Sequence, residues 1–145
     1  MLKFISIDPG KFKCGVVLVD INKKQVEQAI VLNTEFLAEY IKTLLRVECV
    51  SKVIIGNGTT SKENIQKLEF VKKDLIISEE KNTTFRSKKR YFELFPITGL
   101  KKLLPKDFFI INKNLDALSA LIILEDYLHD KFTLSKNINT KTWLK

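Results

Sequence analysis

The sequence predicts an α/β fold on a mixed five-stranded sheet, three antiparallel strands followed by two parallel ones, with helices on its faces. Three observations predict it. The first third of the chain holds three apolar, β-branched runs whose connections are too short for a crossover, so they read as an antiparallel meander. Two later runs, Val53–Ile55 and Leu75–Ile77, each follow a stretch at helical spacing, the pattern of right-handed crossovers. A strongly apolar helix, Leu115–Leu128, remains to pack across the sheet.

Taken in order, Leu2–Ile7 is the first strand, closed by the turn signal Asp8-Pro9-Gly10. Cys14–Asp20 is the second strand and Gln25–Leu32 the third, joined by a turn at Asn22, Lys23 and Lys24. Phe36, Leu37, Tyr40, Ile41, Leu44 and Leu45 recur at helical spacing, with Asn33 or Thr34 as the cap. The fourth strand ends at Gly56-Asn57-Gly58. A helix capped by Thr60 or Ser61 carries Ile65, Leu68 and Val71 to the fifth strand. Thr83 or Thr84 opens a helix that runs to about Leu94 and is stopped by Pro96. This order defines one domain, residues 1–130, and a C-terminal tail, residues 131–145, with no clear period, which Trp143 either pins to the body or leaves loose.

The chain has 145 residues, 45% hydrophobic and 29% charged, within the range of an ordinary globular core. No run reaches the ~20 apolar residues of a membrane span, and Asp8 cuts the N-terminal apolar run too short for a secretory signal. Cys14 and Cys49 lack metal-ligand spacing and read as reduced thiols of a cytoplasmic protein. The net charge of +8 favours polyanionic partners, because phosphate contacts draw free energy from counterion release, and no membrane partner is expected. Arg86, Lys88, Lys89 and Arg90 form one basic cluster that such a partner would meet.

Three acids stand at element ends, where α/β sheets place their sites: Asp8 after the first strand, Glu80 after the fifth and Asp116 at the head of the last helix. Each alone has a plain structural role, as turn residue, first-turn carboxylate or helix cap. Together, the inferred topology brings them to one sheet edge. There they would repel one another unless a divalent cation, Mg²⁺ or Mn²⁺ for an all-oxygen set, lay between them.

The opening IDPGKFKCGVVLVD resembles the RuvC and YqgF nucleases of the RNase H-like superfamily. EEKNTTFRSKKRYFELFPITGLKKLLP, followed by LDALSALIILEDYL, resembles the YqgF-related, resolvase-like branch over roughly residues 2–128. The resemblance implies an RNase H-like fold and metal-dependent hydrolysis of phosphodiester bonds in Holliday-junction-like DNA or precursor ribosomal RNA. It implies Asp8, Glu80 and Asp116 as catalytic metal ligands, with Glu79 the competing glutamate. Lys81 stands where better-known members carry Arg, which loses bidentate phosphate geometry. Lys81, Thr59, Thr60, Thr83, Thr84, Arg86 and Lys88 are the candidate nucleic-acid contacts, and a symmetric junction would call for a homodimer.

A second expectation is a nucleic-acid-binding module of the same fold with little catalysis. A third, a sugar-kinase or actin-like ATPase, shares the strand-Asp-x-Gly hairpin, but such enzymes need two lobes. His129 reads as a helix-end cation, and Tyr91, Phe92 and Phe95 as core. Asp126 lies ten residues beyond Asp116, about 15 Å along a helix, too far to share a metal.

Overall fold

The computed structural model describes residues 1–59, 61–79, 82–105 and 113–144. Strands β1 (Lys3–Asp8), β2 (Lys13–Asp20) and β3 (Gln25–Asn33) form the antiparallel meander. A 3₁₀ turn leads into α1 (Leu37–Val47), which returns the chain to β4 (Val50–Gly56), parallel to β1. Helix α2 (Ser61–Lys67) then leads to β5 (Leu75–Ser78), parallel to β4. Helices α3 (Thr83–Leu94) and α4 (Asp116–Leu128) follow.

The sheet has six strands rather than five, in the order β5-β4-β1-β2-β3-β6. The sixth, β6 (Thr133–Leu134), pairs parallel with Gln25 and Val26 at the β3 edge. Two residues carry no readable alternation, so their sequence gives no strand signal.

Alternation along the central strands builds two cores, because successive side chains point to opposite faces. Ile5, Ile7, Val16, Leu18, Val53 and Ile55 meet Leu37, Ile41 and Leu44 of α1 on one face. Val17, Val19 and Ile54 meet Ala117, Leu121 and Leu124 of α4 on the other. Helix α4 is buried from Ala117 through Glu125, because α3 covers the side turned away from the sheet. The 131–144 segment packs: Phe132 and Trp143 are each 2% exposed within the α4 core, and Thr142 Oγ1 donates to Ala29 O at 2.6 Å. Tyr91 and Phe95 pack against that core too, Phe95 with its ring centroid 6.0 Å from Trp143. Both cysteines are free thiols, Cys14 buried and Cys49 exposed.

Where α3, α4 and the C-terminal segment meet, Arg90 and Glu125 form a buried ion pair. Arg90 donates to both carboxylate oxygens of Glu125, at 3.0 and 2.6 Å, and to Phe132 O, and Phe132 N–H donates back to Glu125 at 2.9 Å. One turn earlier on α3, Arg86 makes a bidentate pair with Asp126, both contacts 2.6 Å. The basic cluster of α3 is therefore split: two arginines face inward onto acids of α4, while Lys88 and Lys89 stay exposed. Among the described residues, no helix is long and apolar enough to cross a membrane.

Candidate functional site

Asp8 is the last residue of β1, and its cross-strand partner is Gly15. The loop that follows is pinned from β3's end. Thr34 N–H donates to Phe12 O at 2.9 Å, and Thr34 Oγ1 donates to Gly10 O at 3.0 Å. Thr34 thus uses its hydroxyl on the Asp-Pro-Gly loop rather than on capping α1.

Gly15 explains how Asp116 arrives. A Cβ built at Gly15 would lie 2.0 Å from Asp116 O and 2.5 Å from Ala117 N. The first turn of α4 therefore rests directly on the glycine backbone, a contact only a residue without a side chain allows. Asp8 and Asp116 consequently flank one glycine. The buried Cys14 thiol senses both: burial pushes its pKa up, and the charges of Asp8 and Asp116 push the same way.

Asp116 is half-buried, and burial raises its carboxyl pKa; the Asn114 side chain and the Lys13 charge oppose that rise. Asn114 Oδ1 accepts from Asp116 N–H at 3.1 Å, so the residue two positions before the helix positions its first turn. Among the described residues Asp116 belongs to no ion pair.

Asp8 opens onto a cleft of about 680 Å³, walled by Pro9, Gly10, Asn57, Gly58, Thr59 and Thr84. Asp116 adjoins this cleft across Gly15 rather than lining it. Asn57 N–H donates to Ser78 O, which ties the loop after β4 to the end of β5. Of the expected contact residues, Thr59 and Thr84 are exposed on this cleft, whereas Thr83 is 3% exposed at the head of α3. Lys88 is exposed on α3 outside the lining. Arg86 is half-buried, and its guanidinium pairs with Asp126. Glu80, Lys81 and Thr60 lie outside the described residues. Glu79 is exposed and lines a different cleft, with Arg86, Asp126 and His129. Among the described residues no group of three acids or other metal-binding side chains forms; what the structure brings together is the pair Asp8 and Asp116.

The sequence reading passed over Asn114, Lys13 and the part Gly15 plays. An Asn two residues before a helical Asp is a recognisable turn-and-cap signal. The Gly15 contact joins residues a hundred positions apart and leaves no local trace.

No family model and no curated protein matches the chain. Among solved structures it is similar to the Aquifex aeolicus member of the Ppx/GppA protein family. The two are 17% identical, the match covers 66% of this chain and 41% of that one, and the TM-score is 0.34. The chain thus spans less than half the length of that structure.

This finding overturns the resemblance to YqgF and RuvC. A solved structure that the chain is similar to belongs to the Ppx/GppA protein family. The expected identity as a Holliday-junction-resolvase-like or rRNA-processing nuclease does not stand, nor does the binding-module variant of that family. Physically, a strand-Asp-Pro-Gly hairpin and a late Asp-Ala helix place acids at a sheet edge, where α/β sheets of many functions hold their sites, so they do not specify the reaction. At this identity and TM-score the Ppx/GppA likeness transfers no activity either.

Proposed function

We propose that the Asp8–Asp116 edge is a hydrolase-type site that takes a phosphate group together with a divalent cation, Mg²⁺ or Mn²⁺, and transfers phosphoryl to water. The observation that carries this reading is that Asp8, the strand partner of Gly15, and the first turn of α4 with Asp116, which rests on Gly15, come to one place beside a cleft lined by backbone and hydroxyl groups. The element order, with a helix returning across β1 and β2, supports an RNase H-like architecture for the sheet.

The donor set fits a hard cation. Both carboxylates offer oxygen only, and the desolvation that lifts the Asp116 pKa is offset when positive charge stands beside it. Asp8 and Asp116 would hold the ion, whose chemistry when bound is to polarise a phosphate oxygen. The chain's own groups do the rest. Backbone around Pro9–Gly10 and Asn57–Gly58 comes close to the phosphate, and the Thr59 and Thr84 hydroxyls donate to its oxygens. The +8 charge supports a phosphate-bearing partner as the ligand class.

The test is calorimetric titration of Mn²⁺ and Mg²⁺ into the parent chain, Asp8→Asn and Asp116→Asn. Phosphate release from 4-nitrophenyl phosphate and a nucleoside triphosphate is measured alongside. We expect binding and release in the parent and loss of both in each variant. Metal binding unchanged by both substitutions would refute the site.

A further inference from the structure

The two edges of the sheet differ. At one, β6 is two residues long, too short to offer a further strand much to pair with. At the other, β5 is an apolar strand, Leu-Ile-Ile-Ser, that among the described residues pairs only with β4. Ile77 within it is 56% exposed, and no charge or proline interrupts the strand. The sequence through it, KKDLIISEE, is basic at its start and acidic at its end. We propose that β5 is a homodimer interface, at which the β5 strands of two copies pair antiparallel about a twofold axis at Ile76 and join both sheets into one. The surface is separate from the Asp8–Asp116 edge and does not depend on that reading.

The backbone limits how a strand can add. Asp74 O accepts from Val53 N–H at 3.0 Å and Ser78 O from Asn57 N–H at 2.9 Å, so both carbonyls turn to β4. Backbone groups alternate in direction along a strand. Ile76 therefore turns to β4 as well, and Leu75 and Ile77 present their N–H and C=O groups to the open edge. An antiparallel ladder across that edge must set outward-turned residues opposite one another.

Side chains then choose among the registers that remain. With Leu75 opposite itself, Lys73 falls on Ile77. With Ile77 opposite itself, Leu75 falls on Glu79. With Ile76 opposite itself, Leu75 meets Ile77 and Lys73 meets Glu79, and the twofold makes each contact twice. Lys73 and Glu79 are exposed, whereas Asp74, the acid inside the basic end, pairs with Lys52 of its own chain at 3.1 Å. Opposite charges facing each other across strands attract and like charges repel. Charge therefore favours the Ile76 register and opposes parallel pairing, which would lay basic end on basic end. A second copy is the occupant that this pattern selects, because one strand carries both halves of the complement.

The experiment is sedimentation equilibrium of the full chain from about 5 to 500 µM. We expect a monomer–dimer equilibrium with a Kd on the order of 10–100 µM, as suits a small interface. Lys73→Glu sets acid against acid at both ends of the pairing, and Glu79→Lys sets base against base. Each variant should self-associate at least about tenfold more weakly than the parent. Mixed together, the two regain opposite charges at both ends and should associate with roughly the parent's affinity. Both positions are exposed, so the variants keep the fold, which circular dichroism checks. A parent that stays monomeric at about 500 µM would overturn the proposal and leave the edge to an extended segment of another protein. Single variants that self-associate as tightly as the parent, or a mixture that associates no better than its components, would overturn it too.

Discussion

The two ends of α4 carry acids in opposite circumstances. At its C-terminal end Glu125 and Asp126 each meet an arginine of α3, in bidentate geometry, with Glu125 also accepting from the Phe132 backbone. At its N-terminal end Asp116 has a cation nearby, Lys13, but no ion pair among the described residues, and burial raises its pKa. One helix thus holds satisfied charge where it joins α3 and the C-terminal segment, and strained charge where it meets the sheet edge. A carboxylate kept half-buried without a matched base costs stability. Residues in that condition cluster where something must be bound.

The sharpest way to break the comparison is to remove the buried carboxylate at the satisfied end. Glu125→Ala takes the bidentate partner from the Arg90 guanidinium, which is 8% exposed and keeps only Glu93 and Phe132 O, and it removes the acceptor of Phe132 N–H. Breaking one side of a buried pair costs about 3–5 kcal/mol. Urea denaturation should show a loss of that size, with metal binding at the other end retained in the folded fraction. A loss below about 1 kcal/mol would mean that the pair behaves as a surface contact.

Gly15→Ala attacks the opposite end. The added methyl falls on the Asp116 carbonyl, so α4 must shift or β2 must bend. Overpacking of this kind costs about 1–3 kcal/mol. Because the shift moves Asp116 from Asp8, Mn²⁺ binding should fall further than stability accounts for. Retained affinity in a destabilised Gly15→Ala variant would separate the glycine from the site.

What the sequence could and could not disclose follows the same division. Period-2 and helical spacing gave the first five strands and all four helices, because those signals are local. They missed β6, which is two residues long, and they left the 131–145 segment undecided although Phe132 and Trp143 are core. Asp8 and Asp116 were readable from their places at element ends, and the inferred topology brings them together. Glu80 falls outside the described residues. The Arg86–Asp126 pair was not legible, because a basic residue near a helix start reads the same whether it faces solvent or an acid forty positions on. The motif pair also suggested a family that the comparisons do not support: hairpin and helix specify a carboxylate edge, not the reaction performed there.

Asp116→Asn sharpens the comparison from the stability side. A folded carboxyl with a raised pKa holds its proton more tightly than the unfolded chain. Stability therefore falls as pH climbs from the ordinary value of 3.8 through the raised one. Asparagine removes that loss. The variant should melt higher than the parent at pH 7, by roughly 1–3 °C, and the difference should shrink as pH approaches about 3. A variant that binds no metal yet is more stable is the signature of a site that costs its fold something. A lower melting temperature at pH 7 would mean that Asp116 is anchored structurally instead.

The smallest effect belongs to Asp126, and its sign is opposite. The hydrogen bonds from Arg86 hold its carboxyl below the ordinary 3.8, so the pair's stabilisation is present above that pH and is lost as pH falls through the depressed value. Its side chain is 35% exposed and that of Arg86 41%, so solvent screens the pair to about 0.5–1 kcal/mol despite the bidentate geometry. Asp126→Asn should lower the melting temperature slightly at pH 7 and flatten its acid limb, whereas Asp116→Asn raises it and removes the descent with rising pH. Melting curves of the two variants across pH 3–7 should therefore diverge from the parent in opposite directions. If both shift the same way, the two ends of α4 do not differ in kind, and the strain assigned to Asp116 is absent.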